Sequence, residues 1–134
     1  MDLRPGRNGL PCLTLMTRDG ARAEIYADGA HVTSWIPAGG SERLFLSEVS
    51  EFTPGRAIRG GVPLVFPQFS GEGALPKHGF ARNQMWELDD VAVGADQAVA
   101  RFSLEDNEAT RAIWPSRFHA TCTVVIGGDA LSVT

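Results

Sequence analysis

Cysteine is nearly absent: only Cys12 and Cys122 occur among the 134 residues, far apart and in no CxxC spacing. That excludes a disulfide framework and a cysteine-based metal knuckle, and two free thiols are expected. Positive charge is also scarce. Twelve Lys+Arg stand against 16 Asp+Glu, a net charge of −4, which gives no electrostatic ground for a nucleic acid or an anionic membrane as partner. Any anion site must therefore be local. No apolar run approaches the roughly 20 residues of a membrane helix, and the opening "MDLRPGRNGL" lacks the apolar core of a signal peptide. A cytoplasmic protein is the expectation.

Several chemical signatures are missing as well. Gly71 and Gly73 form a GxG with no third glycine, no GxxxxGK[ST] exists, and Ser70 has no GxSxG around it. Nucleotide binding and a serine-nucleophile elbow are thus unsupported. His31, His78 and His119 are too scattered for a local metal pattern. A metal site is not expected.

What remains is a succession of short apolar runs with period-two alternation, separated by Gly, Pro, Asp and Asn. This is the pattern of antiparallel strands and tight turns, so the fold class reads as all-β in a single domain over residues 1–134. "LTLMT" and "ARAEIYAD" predict a hairpin around Asp19-Gly20. "HVTSWIPA" follows as a strand, and "AGGSERLFL" turns into another. "WELDDVAV", "AVARFSLED" and "FHATCTVVIGG" continue the series. In the last, Phe118, Ala120, Cys122, Val124 and Ile126 share one face, with His119, Thr121 and Thr123 on the other. "EDNEATRAIW" allows a helical turn but is too short and mixed to predict a helix. After a turn at Gly127-Gly128-Asp129, "ALSVT" starts a further strand at the end of the chain, which predicts a domain that continues past Thr134.

The chemistry concentrates in residues 56–88. In "RAIRGGVPLVFPQF", Gly60-Gly61 permits backbone angles closed to other residues, and the proline-interrupted apolar run that follows predicts a buried, irregular wall stiffened by Pro63 and Pro67. Arg59 projects from its start and Gln68 from its end. "LPKHGFAR" adds Lys77, His78 and Arg82. Arg and Lys supply fixed charge suited to phosphate or carboxylate, and His titrates near neutrality, so together they point to an anionic small molecule. The competing reading is an edge segment with a turn histidine and solvated cations.

"GAHVTSWIPAGGSERLFLS", "AIRGGVPLVFPQF", "LPKHGFARNQMWEL" and "TRAIWPSRFHAT", in that order, resemble the hexose-6-phosphate mutarotase (glucose-6-phosphate 1-epimerase) branch of the aldose 1-epimerase family. The resemblance implies a galactose mutarotase-like antiparallel β-sandwich, of which this chain is the N-terminal half. It implies interconversion of the α and β anomers of a hexose 6-phosphate without metal or cofactor. A base takes the proton of the anomeric hydroxyl while an acid protonates the ring oxygen, so general acid–base groups suffice. By the same resemblance Arg59, Lys77 and Arg82 occupy substrate-binding places. His78 contacts a sugar hydroxyl or orients its neighbours. The catalytic His and Glu lie beyond Thr134, leaving no catalytic residue within this chain; His119 reads as a strand residue. The complete enzyme is expected to be a monomer, and half a sandwich to expose apolar surface and unpaired strand edges. Two other readings remain, a non-catalytic carbohydrate-binding module and a plain β-sandwich interaction domain.

Overall fold

Alternating side chains build two sheets, and the computed structural model describes all of residues 1–134. The first sheet runs in the order β1 (Arg4–Pro5), β2 (Pro11–Met16), β3 (Arg22–Tyr26), β4 (His31–Ile36). The second runs β5 (Glu87–Val93), β6 (Gln97–Glu105), β7 (His119–Gly127), β8 (Ala130–Val133), and every pairing in both is antiparallel. Each sheet is a meander of sequence neighbours, as the turn spacing predicts. The β2–β3 hairpin closes where expected, with the Thr17 N–H donating to the Ala21 carbonyl at 3.0 Å and Gly20 at φ +100°. β8 forms and pairs with β7 from Val124↔Val133 to Gly127↔Ala130. No helix is long and apolar enough to cross a membrane.

One core joins the two sheets. Leu13, Leu15, Ala23, Ile25 and Val32 of the first meet Ala98, Ala100, Phe102, Cys122, Val124 and Ile126 of the second, all buried. Across the β6–β7 ladder small faces large: Ala98 opposes Ile126, Ala100 opposes Val124, and Phe102 opposes Cys122. That pairing keeps the layer evenly filled. Each large aliphatic or aromatic side chain buried this way contributes about 1.5–3 kcal/mol. Both cysteines are free and buried, and desolvation pushes each thiol up to about 11, which keeps it neutral.

Three local expectations need correction. "SERLFL" makes no strand beyond a bridge between Leu46 and Gly60. The Glu42 carboxylate holds this stretch as a loop by accepting the N–H groups of Trp35, Arg43 and Leu44, at 2.8, 3.1 and 3.2 Å. Second, the "EDNEATRAIW" segment does hold a helix, α1 (Glu108–Ile113). A capping box forms it: Asn107 Oδ1 accepts from Thr110 N, and Thr110 Oγ1 accepts from Asn107 N. Third, the "VPLVFPQF" wall is half-buried rather than buried. Val62, Leu64 and Phe66 lean on the core while Pro63, Val65 and Phe69 face outward, because the segment runs across the rim of the sandwich.

Residues 37–86 link the sheets with no regular strand or α-helix, only a short 3-10 turn at Ala81–Asn83 and four isolated bridges. So long an irregular connection is uncommon in a compact domain unless it carries function.

Candidate functional site

The RGG segment is clamped from both sides. Gly60 (φ +116°) and Gly61 (φ +62°) have left-handed backbones, and a side chain on either would collide with main-chain atoms of Phe45–Leu46 or Val32–Thr33. Gly61 N–H donates to the Phe45 carbonyl at 2.8 Å and Val62 N–H to the Val32 carbonyl at 2.9 Å. Arg59 is tied just before them: its N–H donates to Ser50 Oγ at 2.9 Å, and its carbonyl accepts from Ser47 N–H at 3.0 Å. Two glycines thread the backbone between strand β4 and the Phe45–Leu46 loop, so the Arg59 side chain leaves from a rigid base.

That side chain lines a cavity of about 370 Å³ together with Arg56, Arg82, Asn83 and Glu51. Arg82 arrives from the other end of the irregular region, on the 3-10 turn, whose backbone packs on Gly29 so closely that a Cβ there would strike the Arg82 carbonyl. Arg56 is paired with Glu51 at 3.4 Å, both exposed, whereas neither Arg59 nor Arg82 has a carboxylate within ion-pair distance. The Arg82 guanidinium reaches only the Lys77 carbonyl, through Nη2 at 3.4 Å, and its Nε is buried without a partner. Two arginines without carboxylate partners thus line one cavity, and guanidinium groups are donors suited to phosphate or carboxylate.

Under this cavity lie two buried polar residues. Asp28 is 1% exposed and both its carboxyl oxygens lack partners. Burial pushes its carboxyl up to about 6; the Gly55 N–H, in the wall of the same cavity, faces it outside hydrogen-bonding geometry and lowers it by a lesser amount. His31, first residue of β4, is fully buried, with Nε2 2.5 Å from the Gly60 carbonyl oxygen. Desolvation lowers its proton affinity, and the nearby Arg82 charge lowers it further.

The other expected site residues lie elsewhere. Gln68 is bound within its own loop: its Nε2 donates to the carbonyls of Ser70 (2.8 Å) and Leu75 (3.1 Å), while its Oε1 accepts from Leu75 N–H (2.9 Å). His78 sits at φ +64°, with Nδ1 accepting the Ser70 N–H at 2.9 Å and its ring tilted on Phe69 at 5.5 Å. This places the ring proton of the neutral form on Nε2. Neither His78 nor Lys77 lines the arginine cavity. His119 is exposed on β7, 3.1 Å from Glu105 across the ladder, as a strand residue would be. A second, less polar cavity of about 620 Å³ opens between Gln68, Phe69 and Leu75 on one side and Ile113 and Trp114 on the other. The structure thus brings Arg59 and Arg82 together, and leaves Gln68 and His78 in the adjoining loop. Sequence reasoning missed Arg56, Asn83, Asp28 and His31. Arg56, three residues before Arg59 in "GRAIRGG", carried a visible signal; Asp28 and His31 in "ADGAHV" look like turn and strand residues.

Fold and site define a β-sandwich that presents a cationic cavity on an irregular, glycine- and proline-rich connection. Residues 11–134 match the aldose 1-epimerase family, and the chain belongs to it. A Cenchrus ciliaris protein provisionally named glucose-6-phosphate 1-epimerase is 40% identical over 95% of this chain. An Escherichia coli K12 protein of the same provisional name is 43% identical over 72% of it. A crystal structure from Salmonella typhimurium, provisionally named a mutarotase, superposes with a TM-score of 0.86 at 35% identity, over 94% of this chain and 43% of its own. A Synechocystis structure superposes at 0.78 with 27% identity, over 99% of this chain and 49% of its own. The chain spans 40% and 34% of the lengths of the two curated relatives.

Proposed function

We propose that this chain supplies the substrate-binding wall of a hexose-6-phosphate 1-epimerase, with Arg59 and Arg82 gripping the phosphate. The observation that carries the reading is the meeting of these two arginines, 23 positions apart in sequence (82 − 59), in one cavity where neither is neutralised by a carboxylate. A phosphate accepts paired N–H bonds from guanidinium groups, and such charge-assisted bonds are about twice as strong as neutral ones. Arg56 and Asn83 line the same space and add a third cation and an amide. Lys77 and His78, on the loop whose carbonyl Arg82 touches, stand at the edge where the sugar would extend. His78, with its proton on Nε2, is suited to donate to a sugar hydroxyl. The names of the relatives support glucose 6-phosphate as the hexose phosphate.

Anomer exchange needs an acid at the ring oxygen and a base at the anomeric hydroxyl. The family resemblance assigns that pair to a His and a Glu beyond Thr134; His31, buried against Gly60, and His119, exposed on β7, do not line the arginine cavity. The test measures glucose 6-phosphate binding and its α/β exchange by NMR. Binding weakened about 10- to 100-fold in Arg59→Ala and Arg82→Ala is expected, each substitution removing a charged hydrogen bond. Unchanged affinity in both variants would refute the grip. Binding without exchange, in a protein extended through the family's full length, would mark a carbohydrate-binding module instead.

A further inference from the structure

His31 is the one fully buried histidine, and it stands between the two segments that carry the arginines. On one side its Nε2 is 2.5 Å from the Gly60 carbonyl oxygen, next to Arg59. A carbonyl can only accept, so Nε2 carries the proton and donates. With burial and the Arg82 charge both disfavouring a second proton, Nδ1 is left as a bare acceptor. It is buried and has no partner. On the other side, Arg82 Nε is a buried N–H donor that also has no partner. The backbone of Arg82 packs against Gly29, two residues before His31, and its charge is close enough to act on the ring. An unpaired acceptor and an unpaired donor, each costly to leave unmet in a dry interior, are thus carried by two residues near enough for the charge of one to act on the ring of the other.

We infer that His31 is a positioning residue for the arginine pair: Nε2–H holds the Gly60 carbonyl and so the base of Arg59, while Nδ1 accepts the Arg82 Nε–H when an anion occupies the cavity. The inference rests on the reading of Arg59 and Arg82 as the anion grip. Drawing Arg82 Nε–H onto His31 leaves the two terminal nitrogens for the anion and orients the plane of the guanidinium, which a bidentate contact requires. One imidazole thereby couples the two segments.

The experiment titrates inorganic phosphate into the protein and into His31→Gln and His31→Leu, following side-chain 15N–1H signals of Arg82 Nε and His31 by NMR. Glutamine retains a donor for the Gly60 carbonyl and an acceptor for Arg82; leucine retains neither. In the parent, phosphate should slow the exchange of Arg82 Nε–H with water and shift the His31 Nδ1 resonance upfield, as for a nitrogen that gains a hydrogen bond. His31→Leu should lose the protection and bind phosphate about tenfold or more weakly, while His31→Gln recovers most of the affinity. A purely structural histidine would lower the melting temperature in both variants without this split. If the parent binds phosphate and His31→Leu binds it equally, with the Arg82 Nε–H signal unchanged, the inference falls while the grip stands. If the parent binds no phosphate, the grip falls and the inference with it.

Discussion

The Gln68 side chain closes a ring with the backbone of Leu75: Oε1 accepts the Leu75 N–H at 2.9 Å and Nε2 donates to the Leu75 carbonyl at 3.1 Å. The same Nε2 also donates to Ser70 at 2.8 Å, so one amide replaces the ladder that a strand would have given residues 68–76. Gln68→Ala should free three backbone groups at once. Hydrogen exchange at Leu75 should speed up about tenfold or more, from a loss of roughly 1–3 kcal/mol of local hydrogen bonding. Phosphate affinity should move by less than about twofold, since Gln68 stands outside the arginine cavity. Unchanged exchange at Leu75 would show that the amide does not hold the loop.

The glycines of the RGG segment can be ranked against an open one. Gly61 has φ +62°, and a Cβ there would run into the Val32 carbonyl, a main-chain atom that cannot swing away. Gly128 has nearly the same φ, +56°, with no atom within 4 Å of an added Cβ. Gly128→Ala therefore isolates the backbone penalty, about 1 kcal/mol. Gly61→Ala adds the collision with β4 and should cost at least about 3 kcal/mol or prevent folding. Urea denaturation of the two variants measures the gap. Equal losses would mean that the 60–62 segment can move off β4, and that Arg59 has no rigid base.

The long strands β6 and β7 were legible because each has one buried face. In β7 the alternation of Cys122, Val124 and Ile126 with Thr121 and Thr123 appears unchanged in the burial of the folded chain. The same reasoning failed at "SERLFL". Its apolar residues mimic a strand, yet Phe45 is 77% exposed and its carbonyl is engaged by Gly61, a pairing 16 residues away (61 − 45) that no local pattern announces. α1 was missed because its stability resides in one reciprocal cap, Asn107 with Thr110, rather than in an apolar stripe. At the site the cations themselves were visible in the sequence. Which of them share a cavity was not, because that depends on how residues 37–86 fold back on β4. Gln68 and His78 carry chemically apt side chains that turn out to bind their own loop. His31 looks like any strand residue until the Gly60 carbonyl is placed beside it.

The helix cap makes a compact test of local stability. Asn107 Oδ1 receives the Thr110 N–H at 3.0 Å, and Thr110 Oγ1 receives the Asn107 N–H at 2.9 Å. Thr110 is fully buried, so its replacement by Val keeps shape while removing the hydroxyl. Thr110→Val and Asn107→Ala should each cost about 0.5–2 kcal/mol in thermal or urea denaturation. The double variant should lose less than the sum, because the two bonds belong to one box. Strict additivity would mean that the two contacts are independent and that the box is geometric only.

Asp28 gives the fold a specific pH dependence. Its carboxyl, with an ordinary value of 3.8, is pushed up to about 6 by burial without a partner. Between those two values the unfolded chain has released the proton and the native protein still holds it. The native state therefore binds more protons, and stability falls as pH rises through this window, reaching its full loss above about 6. A shift of this size corresponds to a loss on the order of 2–3 kcal/mol. His31 acts in the opposite sense: its lowered proton affinity removes stability as pH drops below its ordinary value of 6.5. Only a comparison with an Asp28 variant separates the two. Asp28→Asn removes the carboxylate and keeps the shape, so it should be more stable than the parent at pH 7.5 and close to it at pH 4. Its advantage should develop between about pH 4 and 6, as the parent's carboxyl ionises in the interior. A stability difference between Asp28→Asn and the parent that stays constant from pH 4 to 7.5, measured by urea denaturation, would show that the Asp28 carboxyl finds a partner or water in solution and titrates as an ordinary aspartate.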